Sequence, residues 1–209
     1  MLQTITLAVG PLQSNCYLLF DDETQNAVVI DPGADGPQIE AAIRERGLTP
    51  LMVLNTHGHG DHIAANGHIK DAFDVPLMIH GGDAPMLTDP EKNLSIFLGT
   101  PITSPAADRE LNDGDSLEFG DHAIRVYHTP GHSPGGVSFY IGNLLFPGDA
   151  LFKQSVGRSD LPGASHEVLI AGIRNQLLVL PDDTIVYPGH GPATTIGDEK
   201  LDNPFLNTI

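Results

Sequence analysis

The chain has one cysteine, no tryptophan and only ten Lys plus Arg in 209 residues. Each scarcity excludes something. A lone Cys16 cannot close an intrachain disulfide, so the fold rests on noncovalent packing and suits a reducing compartment. Ten basic against 27 acidic residues leave a formal net charge of −17, a field that repels phosphate backbones and anionic membrane surfaces. Neither nucleic acid nor membrane is an expected partner. No Lys or Arg precedes Arg44, so the start lacks the basic region of a secretory signal, and the longest uninterrupted apolar run is only Cys16 to Phe20. A cytoplasmic location is expected. With no internal repeat, low-complexity tract or dividing linker, residues 1–209 are expected to form a single α/β domain.

Apolar clusters between turn signals at 5–9, 16–20 and 27–30 predict a strand meander that opens the fold. Asp35 as N-cap, Pro37 in the first turn, the stripe Ile39, Ala42 and Ile43, and the stop at Gly47 predict an amphipathic helix. A buried strand at 51–54, a helix over 61–73 and a short strand at 77–79 follow. The Pro- and Asp-rich stretch 81–115 reads as a short helix and a surface excursion that could line a substrate cleft. Strands are predicted at 123–127, 137–141 and 143–146, the last two joined by a tight hairpin at Gly142-Asn143. A helix over 166–179 and a strand at 184–187 close the core. The alternation suggests two central sheets with helices outside.

The strongest local signal is Thr56-His57-Gly58-His59-Gly60-Asp61-His62, between a buried strand and a helix. Three imidazoles and a carboxylate have little use in a core, where each buried polar group needs a partner, and a metal ion supplies one. His57 and His59 can aim at one ion from an extended loop; Asp61 and His62, at the helix start, can serve a second. Three further ligands fit by context: His132, Asp149 and His190 each follow a strand and a Pro-Gly pair. Five imidazoles and two carboxylates suit two metals that share a bridging carboxylate and a solvent molecule. His68, His80, His122, His128 and His166 lack any partner pattern, and Cys16 reads as packed on a strand.

These residues resemble the metallo-β-lactamase superfamily, whose five motifs are present in order: Asp31, the His57 to His62 block, His132, Asp149 and His190. The resemblance implies an αββα sandwich of two mixed sheets flanked by helices. It places His57, His59 and His132 on one metal, Asp61, His62 and His190 on the other, and Asp149 between them. Asp61 and Asp149 would thus serve catalysis as well as metal binding, and Asp31 would hydrogen-bond beside the metal loop. Leu12 to Leu18, Gly148 to Phe152, Gly157 to Pro162 and Asn203-Pro204-Phe205 look most like compact type II glyoxalases, the hydroxyacylglutathione hydrolases. That likeness implies cleavage of S-(2-hydroxyacyl)glutathione by a metal-bridging hydroxide, two divalent ions (zinc, with iron or manganese as alternatives), and Arg158 as the contact to a substrate carboxylate. The chain departs from that pattern at Asp160 and Pro192, where tyrosines are expected, and lacks the C-terminal helical domain of the longer glyoxalases. Persulfide dioxygenases, with one iron on the same ligand types, are the nearest alternative; a non-catalytic metal-binding scaffold is the alternative outside enzymes.

Overall fold

The computed structural model describes residues 1–207, which divide into two compact units, Met1–Leu111 and the described residues from Asn112 onward. The first unit is built on one six-stranded sheet. Its strands β1 (Leu2–Val9), β2 (Ser14–Asp21), β3 (Asn26–Ile30), β4 (Thr49–Leu54), β5 (Leu77–His80) and β6 (Arg109–Leu111) lie side by side in chain order. The first three pair antiparallel and the rest parallel. Parallel neighbours need crossovers, which α1 (Gly36–Glu45) supplies between β3 and β4. β2 is buried along nearly its whole length, whereas β1, at the sheet edge, alternates in burial. Ile39 and Ile43 of α1 stand one turn apart and enter the core beside Leu18, Val29, Val53 and Leu77.

One local expectation fails here because groups distant in sequence take over backbone hydrogen bonds. The continuous helix over 61–73 is instead α2 (Gly60–Ile63) and α3 (Asn66–Phe73). In an unbroken helix the Ala65 N–H would bond to Asp61 and the carbonyl of His62 would accept from Asn66. Ala65 instead donates to the Pro32 carbonyl, 2.9 Å, and Asn55 Nδ2 donates to the His62 carbonyl, 3.1 Å. Asp35 is the N-cap residue of α1, as expected, in a left-handed conformation, φ 53°, with its carbonyl accepting from Gln38 N and Ile39 N and no side-chain cap bond. Its carboxylate accepts from Gly10 N at 2.8 Å, tying the β1–β2 turn to the β3–α1 loop.

The stretch 81–115 is likewise more than a surface excursion. Asp83, Leu87, Asn93 and Ser95 are fully buried, 3₁₀ turns form at Ala84–Met86 and Ser95–Leu98, and β6 joins the sheet. Asn93 Nδ2 donates to the carbonyls of Met86 and Ile102, and its Oδ1 accepts from Ser95 N. Such polar stapling has no apolar period to read.

The second unit holds β7 (Ser116–Phe119), β8 (His122–His128), β9 (Val137–Ile141), β10 (Leu144–Gly148), the small hairpin β11 (Leu151–Phe152) with β12 (Ser155–Val156), β13 (Ile185–Pro188) and β14 (Thr194–Thr195). Its six-stranded sheet runs β14-β13-β10-β9-β8-β7. β10 pairs parallel with β13 and every other neighbour is antiparallel. The predicted hairpin at Gly142-Asn143 is present, with Gly142 at φ 61°. The helix expected over 166–179 is α4 (His166–Gly172), capped by the Ser165 hydroxyl, continuing as a π-helical turn over Ile173–Leu177. β7, β14 and a last helix, α5 (Ile196–Asp202), were not expected from the pattern. α5 turns on buried Glu199, which accepts from Thr194 Oγ1, Asn203 Nδ2 and Gln154 N. Among the described residues no helix is long and apolar enough to cross a membrane.

Candidate metal centre

In the first unit the chemistry gathers where β3 and β4 end and β2 begins. β3 and β4 run parallel, so the loops after Ile30 and Leu54 leave the same sheet edge, and antiparallel β2 starts there. Asp31 follows β3, and the His57 to His62 loop follows β4. His57, His59 and His62 are buried, with ring centroids 4.9 Å apart for His57–His59 and 4.2 Å for His57–His62. Asp31, His57 and His62 offer ligand atoms within 4.8 Å of one another.

Hydrogen bonds fix which ring nitrogen is presented. Buried Asp31, at φ 49°, accepts from Thr56 N at 2.7 Å through Oδ1, and from Thr56 Oγ1 at 2.6 Å through Oδ2. A hydroxyl has one proton, and Thr56 gives it to the carboxylate. Its oxygen therefore accepts from His57 Nδ1, 3.0 Å away. Oδ2 also accepts from His62 Nδ1 at 3.1 Å. Both imidazoles thus carry their proton on Nδ1 and turn an Nε2 lone pair outward, the arrangement that metal-ligating histidines use. His62 Nε2 lies 3.5 Å from Asp61 Oδ2.

The second unit repeats the logic. β8, β10 and β13 point the same way, so His132, Asp149 and His190 leave one edge of that sheet. The parallel ends of β10 and β13 are tied by Gly189 N donating to the Gly148 carbonyl, 2.9 Å. Asp149 Oδ2 sits 3.5 Å from His132 Nε2 and 3.6 Å from His190 Nε2. His132 Nδ1 donates to the Arg158 carbonyl at 2.8 Å, which again puts the ring's lone pair on Nε2. In each unit a glycine backs the carboxylate. A Cβ on Gly33 would stand 1.8 Å from the Asp61 carbonyl oxygen, and one on Gly157 would stand 1.8 Å from that of Asp149. Imidazole nitrogens and carboxylate oxygens so oriented fit a divalent transition metal such as zinc, iron or manganese.

The sequence model of the metallo-β-lactamase superfamily matches residues 9–190. The chain belongs to that superfamily. Among its relatives is the hydroxyacylglutathione hydrolase GloC of Haemophilus influenzae, 38% identical over 206 residues and 97% of each chain. The crystal structure of BLEG-1, a B3 metallo-β-lactamase, is 45% identical with a TM-score of 0.95, over 99% of this chain and 100% of that one. The crystal structure of TTHA1623 in a di-iron-bound form is 42% identical with a TM-score of 0.87, over 97% and 100%. The α/β class with two mixed sheets is the superfamily's fold, and the superfamily's chemistry is that of metallo-hydrolases.

The other expected residues fall as follows. Arg158 donates from Nε and Nη2 to the two Asp160 carboxylate oxygens, at 3.0 and 3.1 Å, with both side chains about 70% exposed. The Arg158 guanidinium beside Asp160 holds that carboxyl below its ordinary range. Cys16 is buried, and burial, reinforced by the Asp31 charge, pushes its thiol well up, so no thiolate nucleophile is available there. Residues that the sequence reading did not assign also shape the site. Ser14 donates from Oγ to Asp61 Oδ2 at 2.9 Å. Buried Asp83 accepts from Gly58 N at 2.9 Å, and the Asn93 carbonyl accepts from Gly60 N at 2.9 Å. Thr56 stands inside the motif yet is spoken for only by its partners.

Proposed function

We propose that this chain is a dinuclear metal-dependent thioester hydrolase that cleaves an S-(2-hydroxyacyl)glutathione to a 2-hydroxy acid and glutathione. The seven residues His57, His59, Asp61, His62, His132, Asp149 and His190 hold two divalent ions, divided as the superfamily resemblance implies, within one hydrolase domain. The observation that carries the reading is the same presentation of Nε2 within each unit, by His57 and His62 with the Asp61 carboxylate in the first and by His132 with the Asp149 carboxylate in the second. The likeness to a hydroxyacylglutathione hydrolase along 97% of each chain supports the substrate class, and the di-iron relative supports two ions. When bound, such ions supply Lewis acidity and lower the pKa of a bound water from 15.7 toward about 7.

The protein's own part is positional. Asp31 and the Arg158 carbonyl hold the ligand histidines in one tautomer. Asp149 sets its carboxylate oxygen 3.5 Å from His132 Nε2 and 3.6 Å from His190 Nε2, a group of acceptors that only a cation can satisfy together. A thiolate leaves with a pKa of about 8.5, so the reaction asks for no strong general acid. The Arg158 guanidinium is the cation offered to a glutathione carboxylate, in competition with Asp160. The substrate is a small acyl thioester, with no nucleic-acid or membrane partner, and a lone buried cysteine suits the glutathione-rich cytoplasm.

Elemental analysis together with a lactoylglutathione assay tests this. Two metals per chain, thiol release and no oxygen uptake are expected. One iron per chain with oxygen uptake on glutathione persulfide would replace the hydrolase by a dioxygenase. The BLEG-1 likeness favours a second reading, hydrolysis of a β-lactam amide by the same centre. Turnover of a chromogenic cephalosporin at a higher kcat/KM than the thioester would establish it.

A further inference from the structure

We propose that Ser14 is a positioning residue for the metal held by Asp61 and His62, setting the direction and charge of the Asp61 carboxylate. The proposal rests on the dinuclear reading above. Ser14 opens β2, is 1% exposed, and donates to Asp61 Oδ2 at 2.9 Å across 47 residues of sequence. The same oxygen is the one 3.5 Å from His62 Nε2. A hydroxyl proton on that oxygen fixes the carboxylate's rotation and draws off part of its charge, so Ser14 acts on the atom that faces the metal.

Three loops hold Ser14 in place. The β1–β2 turn closes with Gln13 N on the Gly10 carbonyl and is tied to the next loop by Gly10 N on the Asp35 carboxylate. That second loop carries Gly33, whose Cα faces the Asp61 carbonyl so closely that no side chain fits. Ala65 N donates to the Pro32 carbonyl and locks the junction of α2 and α3 against it. Ser14 and Asp61 are thus fixed on two walls of one clamp. The bond is built into the backbone and does not depend on a flexible contact.

The test is metal titration of apo-protein with zinc, with stoichiometry by elemental analysis and the melting temperature of the apo form measured alongside. Wild type is expected to take two ions. Ser14→Ala is expected to bind the first as wild type does and the second 10- to 100-fold more weakly, with Ser14→Thr within about threefold of wild type. Ser14→Cys keeps the size, offers a poor donor and should resemble Ser14→Ala, which covers the case where the alanine variant does not fold. If wild type takes two ions and both the alanine and cysteine variants bind the second with unchanged affinity, the role of Ser14 is overturned while the dinuclear reading stands. Equal weakening of both ions with a fallen apo melting temperature overturns it in favour of a structural role. A wild type that takes only one ion overturns the dinuclear reading, and the Ser14 proposal with it.

Discussion

Replacing Asp31 with Asn should invert the protonation of two histidines proposed as metal ligands while leaving the backbone in place. Asp31 sits at φ 49°, a left-handed conformation that Asn tolerates better than most residues, so the substitution changes chemistry and not chain path. The amide keeps an Oδ1 for the Thr56 N–H, which lies 2.7 Å from that atom of Asp31. At the other position an NH₂ replaces the oxygen that accepts from Thr56 Oγ1 and His62 Nδ1. An amide nitrogen only donates. Thr56 Oγ1 must then accept from the introduced amide and send its own proton to His57 Nδ1, 3.0 Å away. His62 Nδ1 meets a donor and must also accept. Both rings move their proton to Nε2, the atom that has to be bare to bind a metal. Loss of an orienting partner of this kind costs 10- to 100-fold in metal affinity, or about 1.4–2.8 kcal/mol at 1.4 kcal/mol per factor of ten. Metal titration reads the affinity, and long-range ¹H–¹⁵N NMR of the imidazoles in apo-protein reads the tautomers. Wild-type affinity with unchanged tautomers in Asp31→Asn would falsify the argument.

The remaining expectations are narrower. Arg158→Ala should lower kcat/KM for a glutathione thioester by roughly tenfold, mostly through KM and at unchanged metal content, because Asp160 already competes for the guanidinium; an equal loss on a thioester without carboxylates would make Arg158 structural. Gly33→Ala drives a methyl toward a backbone carbonyl 1.8 Å away and should destabilise the apo fold by about 3 kcal/mol or more; a urea midpoint equal to wild type would contradict the close approach. Asp108 is held below the ordinary carboxylate range by the Leu77 N–H and then by Lys70. A carboxyl depressed in the folded state adds stability above its unfolded value near 3.9 and loses it as pH falls through the folded value. Urea midpoints of Asp108→Asn should therefore fall slightly below wild type at pH 6, with the gap narrowing as pH falls below the unfolded carboxyl value, and a gap that widens in acid would reverse the sign.

The sequence alone determined the types of the residues proposed as metal ligands and their places along the chain. A His-rich loop after a buried strand, and Pro-Gly pairs before His132, Asp149 and His190, are local patterns, because a ligand must leave a strand end through a tight turn whatever lies elsewhere. The main strands were legible for the same reason: alternation or continuous burial is written along a few residues, as in β2 and β9. Only the tertiary structure decided what holds those ligands. The Thr56 hydroxyl, the Asn55 amide that ends α2, Asn93 inside the 81–115 stretch and Ser14 behind Asp61 act on partners that no period or spacing connects to them. A hydrogen bond depends on two atoms meeting within about 3 Å, and for Ser14 and Asp61 that meeting is set by how β2 and the loop after β4 lie on one sheet. Sequence carries the identity of both groups. Only the folded chain brings them within reach.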